Sequence, residues 1–86
     1  MSRHEKLLKK LLLKPKDFTY TELQTLLKAL GYVELKRGRT SGSRVAFMHS
    51  ETQHIVRLHK PHPSSILKRY QLDYIEEELR YMGVIK

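Results

Sequence analysis

The sequence predicts an α+β fold in the order α, then α-β-β-β-α, with a three-stranded antiparallel sheet and helices on one face. Two observations predict it. Leucines recur at helical spacing near the start and the end of the chain, and apolar residues alternate with polar ones in between. The alternating segments have short connections, which favours an antiparallel meander. Such a sheet buries one face against the helices and leaves the other face open to solvent.

An extra N-terminal helix is predicted over residues 3–13, where leucines fall at helical spacing and basic residues form a separate stripe. Pro15 ends this helix because its ring disfavours helical geometry at Lys14. One interpretation of the segment is a helix that lies on a membrane surface. A packed accessory helix is favoured, because the segment has about three turns and contains no Trp or Phe.

The second and last helices have clear boundaries. Thr19-Tyr-Thr-Glu22 has the form of a capping box, in which Thr19 accepts from the first turn and Glu22 reaches back. Gly31 supplies the left-handed stop. The leucines of this second helix are Leu23, Leu26, Leu27 and Leu30. The last helix ends at Gly83, and its apolar positions are Leu72, Ile75, Leu79 and Met82.

Three short strands are predicted between these helices, at Tyr32–Lys36, Ser43–Met48 and His54–His59. Alternation determines which side chains share a face. The pairs that share a face are Val33 with Leu35, Val45 with Phe47, Arg44 with Ala46, Val56 with Leu58, and Ile55 with Arg57. The prolines in Lys60-Pro-His-Pro63 cannot continue a strand ladder, so the third strand ends there.

Length and composition exclude several classes of protein. The chain has 86 residues, which favours a single domain over residues 1–86, with 1–14 as an extension and 19–85 as the core. Cysteine is absent, which excludes disulfide frameworks, thiolate zinc sites and cysteine nucleophiles. No apolar run is long enough to span a membrane. We therefore expect a soluble protein of the cytoplasm that needs no cofactor.

The positive charge is concentrated in the middle of the chain. The formal net charge is +8, and residues 36–69 contain eight Lys or Arg against Glu51 alone. Four of the five histidines also lie in this segment. A focused positive field of this kind predicts a polyanion as partner, and nucleic acid is the most common one.

The segment Gly38-Arg-Thr-Ser-Gly-Ser-Arg44 is a candidate phosphate-binding turn. It has two glycines and three hydroxyl residues among basic side chains, so backbone N–H groups can approach an oxyanion without a Cβ in the way. It differs from a Walker loop in its spacing. An ordinary connecting turn, whose polar residues satisfy their own backbone, explains the composition equally well.

Three interpretations apply to the histidines of His54-Ile-Val-Arg-Leu-His-Lys-Pro-His-Pro63. A metal site is disfavoured, because few other ligands lie near. Acid–base catalysis on an RNA phosphodiester is chemically suitable, since histidine titrates near neutral pH and the cations nearby hold phosphate charge. Plain surface histidines are the simplest interpretation. The acidic run Glu76-Glu-Glu78 is most simply a solvated helix face, or a side turned away from nucleic acid.

The order of these motifs resembles the HicA toxins of bacterial HicAB toxin–antitoxin systems. The resemblance covers residues 19–85 and is carried by four segments of the chain. These are Leu30-Gly31-Tyr32, Ser41-Gly-Ser-Arg-Val45, His54–Pro63 and the closing Gly83-Val-Ile85. The first helix resembles the N-terminal extension of one subgroup.

The resemblance implies a fold like that of double-stranded-RNA-binding domains (dsRBD-like), metal-independent mRNA cleavage, and inhibition by a HicB-like antitoxin, as in type II systems. Typical members have Gly-Ser-His at the start of the second strand, with a catalytic histidine. Here the motif is Gly42-Ser43-Arg44, a departure that puts the usual mechanism in doubt, because arginine cannot act as a base near neutral pH. His59 is the expected replacement, with His62 as the alternate.

The leading hypothesis is therefore a ribonuclease toxin in which His59 moves protons and Arg44 stabilises phosphate charge. The predicted RNA-binding residues are Arg39, Ser41, Gly42, Ser43, Arg44, Arg57 and Lys60. Two alternatives use the same basic surface. One is an RNA- or ribosome-binding module without catalysis, and the other is an interaction protein that docks an acidic partner.

Overall fold

The computed structural model describes residues 3–35, 44–61 and 64–85 of the chain. Over these ranges it has the predicted α+β, dsRBD-like architecture, with a three-stranded antiparallel sheet in the order β1-β2-β3. The elements are α1 (Arg3–Leu12), α2 (Tyr20–Ala29), β1 (Tyr32–Leu35), β2 (Arg44–His49), β3 (Ile55–His59) and α3 (Arg69–Tyr81). None of the helices within these ranges is long and apolar enough to cross a bilayer.

The capping box predicted for α2 is present. The Thr19 hydroxyl accepts from the Glu22 backbone N–H, and the Glu22 carboxylate accepts from the Thr19 N–H. After the helix, Gly31 adopts a φ of +97°, and a Cβ there would lie 3.0 Å from Nε2 of His49. Glycine is therefore required twice over at this turn, by the backbone conformation and by the close approach of the β2 histidine.

The sheet packs its inner face against the helices, and the phase of β1 shows which side chains point inward. Tyr32 is buried, whereas Val33 is 56% exposed. Glu34 also points inward, where its carboxylate accepts from the Tyr20 hydroxyl at 3.0 Å and from Nε2 of Gln24 at 2.6 Å. Val33 and Leu35 share a side as predicted, and that side is the one without helices.

A single apolar core fills the space between the sheet and the helices. The predicted apolar positions of α3 are confirmed at three of their four residues, since Leu72, Ile75 and Leu79 are fully buried. The rest of the core is formed by Leu11, Phe18, Tyr20, Leu23, Leu26, Leu27, Tyr32, Phe47, Val56, Leu58, Leu67 and Ile85. The core thus fixes the inner face of each strand, and alternation places the remaining strand residues on the opposite side.

The helix α1 is joined to the other helices by ion pairs. Lys10 contacts Glu22 of α2 at 2.7 Å, and Lys14 contacts both Asp73 and Glu76 of α3. Leu11 is fully buried between them. The predicted role of α1 as a packed accessory helix is therefore confirmed.

The acidic run of α3 differs from the solvated face that its sequence predicts. Glu77 is exposed, but Glu76 pairs with Lys14 and with Arg80, and Glu78 contacts His54 of the sheet layer. The prediction is wrong for Glu76 and Glu78 because Lys14, which follows α1, and His54, which precedes β3, approach them from distant parts of the chain. Sequence spacing along α3 carries no information about those partners.

Candidate nucleic-acid interface

The register of the sheet brings Arg44 and His59 together. Arg44, the first residue of β2, lies directly opposite His59, the last residue of β3. Ala46 lies opposite Arg57 in the same way. Directly opposed residues of antiparallel strands point to the same face, so Arg44, Arg57 and His59 share one face of the sheet.

Backbone hydrogen bonds show which kind of cross-strand pair these residues form, and therefore how far apart their Cα atoms are. The Arg57 N–H donates to the Tyr74 hydroxyl, and the His59 C=O accepts from Gln71, so both backbone groups point away from β2. The pairs Arg44–His59 and Ala46–Arg57 are therefore the non-hydrogen-bonded kind, in which opposed Cα atoms are about 4.5 Å apart. Arg57 is the diagonal neighbour of Arg44, at about 7–8 Å.

This open face consists, within the described strands, of eight residues. They are Val33, Leu35, Arg44, Ala46, Met48, Ile55, Arg57 and His59. None of these eight is acidic or aromatic, and the one carboxylate of the described strands, Glu34, points to the inner face. Arg44, Arg57 and His59 are all exposed. The positive charge at this end of the face is therefore not neutralised by any carboxylate of the described strands.

The opposite end of the open face is apolar. Val33, Met48 and Ile55 form one row across the three strands. The face thus changes from an apolar row near the turn between β2 and β3 to a basic pair at the other end. No Phe, Tyr or Trp lies on the described part of the face, so bases can stack there only on the His59 imidazole or on the arginine guanidinium planes.

Lys60 is the one other predicted site residue within the described ranges. Lys60 follows β3, and its ammonium lies 5.5 Å from the centre of the Tyr20 ring, a cation–π contact at the start of α2. The contact places Lys60 beside the helix layer and apart from Arg44 and Arg57. Arg39, Ser41, Gly42, Ser43 and His62 lie outside the described residues, so their part in the site stays a prediction.

The remaining sheet histidines have structural partners. In His54, Nε2 lies 3.2 Å from Oε1 of Glu78 and Nδ1 lies 2.8 Å from the Tyr32 hydroxyl. An ionised carboxylate can only accept, so Nε2 carries the proton and Nδ1 accepts from Tyr32. In His49, Nδ1 accepts from the backbone N–H groups of Glu51 and Thr52. Both side chains hold turns and helices together and are not part of the open face.

The surroundings of the Tyr32 side chain change the pKa of its phenol. Burial raises the pKa of the Tyr32 phenol above its ordinary value, and the Glu78 carboxylate raises it further. The hydroxyl therefore stays protonated and can donate to His54 throughout the physiological range.

The described ranges contain no group of three His, Cys, Asp or Glu residues that could hold a metal ion.

The sequence did not identify two side chains of α3 that contact the outer edge of β3. Gln71 and Tyr74 of α3 hydrogen-bond the backbone of His59 and Arg57. One signal for Gln71 was available in the sequence. It is a polar residue immediately before the buried Leu72, at a position that packs inward. Nothing in the spacing identified Tyr74.

A family model described as the HicA toxin of bacterial toxin–antitoxin systems matches residues 20–84, from the start of α2 to just beyond α3. The chain belongs to the HicA toxin family. The match covers most of the chain and begins after α1. No curated protein and no solved structure matches the chain. As a HicA-family toxin the protein has an antitoxin as partner.

Proposed function

We propose that this HicA-family toxin binds RNA through the basic end of its open face and cleaves mRNA there without a metal ion. The observation that carries the proposal is the cross-strand pair of Arg44 and His59, with Arg57 diagonal to Arg44. The three residues together combine a proton carrier and two cations on an exposed surface without carboxylates from the described strands.

The chemistry requires two functions at neighbouring positions. In RNA the 2′ oxygen passes its proton to a base and attacks the adjacent phosphorus, the P–O5′ bond breaks to leave a 2′,3′-cyclic phosphate, and the 5′ oxygen takes up a proton from solvent water. A base must accept the 2′ proton, and cations must stabilise the charge that develops on the phosphate oxygens. His59 supplies the base, because imidazole is the side chain that most often transfers protons in enzymes. Arg44 and Arg57 supply the cations, since guanidinium binds phosphate in a bidentate way.

Arg44 favours a second candidate function, an RNA-binding module without catalysis. Family members typically have histidine where this chain has Arg44, and a guanidinium stays protonated at every physiological pH. If His59 does not replace the missing histidine, the open face still binds phosphate but does not cleave it. Both functions use the same surface, and they differ in the role of His59.

The deciding experiment is incubation of the purified toxin with single-stranded RNA in EDTA. We expect cleavage with the wild type and a loss of about 10²-fold or more with His59→Ala, the usual contribution of a general base. His4→Ala, which removes a histidine from α1, is the matched control and should cleave as the wild type does. RNA that is bound but stays intact with the wild type would favour the binding module.

The antitoxin partner follows from family membership, and we propose that it is of the HicB kind and acts in the cytoplasm. The open face is basic at one end and apolar at the other, so an antitoxin that covers it must offer acidic and apolar side chains together. Inhibition is tested by adding a HicB-like protein to the cleavage assay. Persistent cleavage in the presence of a stable complex would contradict occlusion of the open face.

A further inference from the structure

The outer edge of β3 is covered by side chains of α3 and not by another strand. β3 is the last strand of the sheet, and an edge strand normally presents unpaired N–H and C=O groups. Here the Tyr74 hydroxyl accepts from the Arg57 N–H at 3.1 Å, and Nε2 of Gln71 donates to the His59 C=O at 2.8 Å. Gln71 and Tyr74 are three residues apart, so both project from the same side of the helix.

Gln71 is held at both ends of its amide. Its Oε1 accepts from the Lys68 backbone N–H at 3.0 Å, at the start of α3, while its Nε2 donates to His59. Because a backbone N–H can only donate and a carbonyl can only accept, these partners fix which end of the amide is which. Gln71 is 5% exposed, and it is the one buried polar residue of the described ranges.

The two contacts fall on the two β3 residues whose side chains form the basic end of the open face. Arg57 and His59 are each held by β2 on one side, through the pairing of their neighbours, and by α3 on the other. His59 is also the last residue of its strand, so its peptide would fray without the second contact. The direction of the Cα–Cβ bond in a strand follows the peptide plane, so the contacts with α3 help to fix the direction in which the His59 and Arg57 side chains leave the sheet.

We infer that Gln71 and Tyr74 are positioning residues of the RNA site, with Gln71 aligning His59 and Tyr74 aligning Arg57. The inference rests on the proposed function and adds to it separate roles for the two residues. Gln71 acts on proton transfer through His59, whereas Tyr74 acts on phosphate binding through Arg57. A purely structural contact would lower stability without separating these two steps.

The test uses two nearly isosteric substitutions in the full chain. Gln71→Met removes the donor to His59, and we expect kcat to fall about tenfold or more with KM almost unchanged, since a misplacement of 1 Å can cost ~10²-fold. Tyr74→Phe removes the acceptor for Arg57, and we expect a rise in KM or Kd of about threefold, the effect of one ordinary hydrogen bond. Faster hydrogen exchange at the Arg57 amide should accompany it.

The matched control is Glu22→Gln, at the corresponding position of the α2 capping box. Glutamine keeps the capping acceptor but loses the ion pair with Lys10, and residue 22 has no contact with β3, so the variant should lower the thermal midpoint and leave kcat and KM unchanged. If Gln71→Met and Tyr74→Phe behave like Glu22→Gln, the positioning role is wrong. If Tyr74→Phe lowers kcat as much as Gln71→Met does, the separate roles of the two residues are also wrong.

A toxin that binds RNA but does not cleave it would give a different pattern of results with the two variants. If the wild type binds RNA but does not cleave it, the Tyr74→Phe effect on Kd and on Arg57 amide exchange still decides the role of Tyr74. In that case Gln71→Met should leave Kd within about twofold, because His59 then contributes little to binding. An unchanged Arg57 exchange rate in Tyr74→Phe would overturn the inference whether or not RNA is cleaved.

Discussion

Two histidines five residues apart, His54 and His59, occupy opposite environments. The His54 side chain is 12% exposed and has a partner at each ring nitrogen, whereas His59 lies exposed beside Arg44. The same residue type thus joins the inner layers of the fold at one end of β3 and belongs to the basic surface at the other. The difference shows that partners, and not residue type, separate a histidine that holds the fold together from one that is exposed on the surface.

The largest expected effect follows from replacing the structural histidine. His54→Ala should lower the free energy of unfolding by about 2–4 kcal/mol, because it removes two hydrogen bonds and leaves the Tyr32 hydroxyl without a partner. Urea denaturation, with an unchanged m value, is the measurement. His59→Ala is the comparison and should stay within about 0.5 kcal/mol of the wild type, since its exposed ring has no such partners among the described residues. Equal losses from the two substitutions would contradict the distinction.

A second effect concerns the open face. Arg44→Ala combined with Arg57→Ala should weaken RNA binding by about 25-fold at 0.1 M salt and lower the log–log salt slope by about 1.4, if each arginine contacts one phosphate. The double substitution of Arg3 and Lys6, two exposed cations of α1, is the charge-matched control. A similar loss from both variants would mean that binding depends on net charge and not on the open face.

The sequence was informative about elements whose cause is local. The Thr19–Glu22 capping box, the Gly31 stop and the inward leucines of α2 depend on residues within a few positions of one another, and each is confirmed. The sharing of faces along β2 and β3 is also confirmed, because alternation is a property of the strand itself. Alternation alone therefore predicts that Arg44 and Arg57 point away from the buried side of their strands.

The parts that could not be predicted depend on contacts between distant segments. His54 and His59 look alike in sequence, and they differ because Glu78 and Tyr32 approach only one of them. Val33 and Leu35 share a face as expected, but the inward residues of β1 are Tyr32 and Glu34, the latter held by polar partners on α2. Gln71 was missed for the same reason, since its partner at His59 is 12 residues away.

A third and smaller effect separates the hydroxyl of Tyr32 from its ring. Tyr32→Phe keeps the buried ring and its edge contact with His49, but removes the donor to His54. We expect a loss of about 1 kcal/mol in the free energy of unfolding, the net value of one hydrogen bond. Cleavage or binding of RNA should not change. A double-mutant cycle with His54→Ala measures the coupling, and a coupling near zero would show that the two side chains do not act together.

The last effect concerns acid stability and the ion pairs that hold α1. The Lys14 ammonium, through its hydrogen bonds, holds the pKa values of Asp73 and Glu76 below their ordinary range, and Arg80 adds to the effect on Glu76. Carboxylates with depressed pKa values stabilise the fold above their unfolded values of about 3.9 and 4.3. That contribution disappears as the pH falls through the lower folded values, because the carboxylates are then protonated in both states.

Lys14→Met should therefore lower the thermal midpoint most clearly near pH 7, and the difference from the wild type should shrink steadily as the pH falls below the unfolded pKa values of the two carboxylates. Because Lys14 has a φ of +52°, methionine keeps the same backbone strain, so the comparison isolates the charge. The difference between the two proteins should also shrink at high salt, since Asp73 is half exposed and its charge is screened. Lys16→Met, which removes an exposed cation two residues away, is the control and should show no such dependence on pH. A pH-independent difference between the wild type and Lys14→Met would mean that the lysine stabilises α1 by packing of its carbon chain and not by its charge.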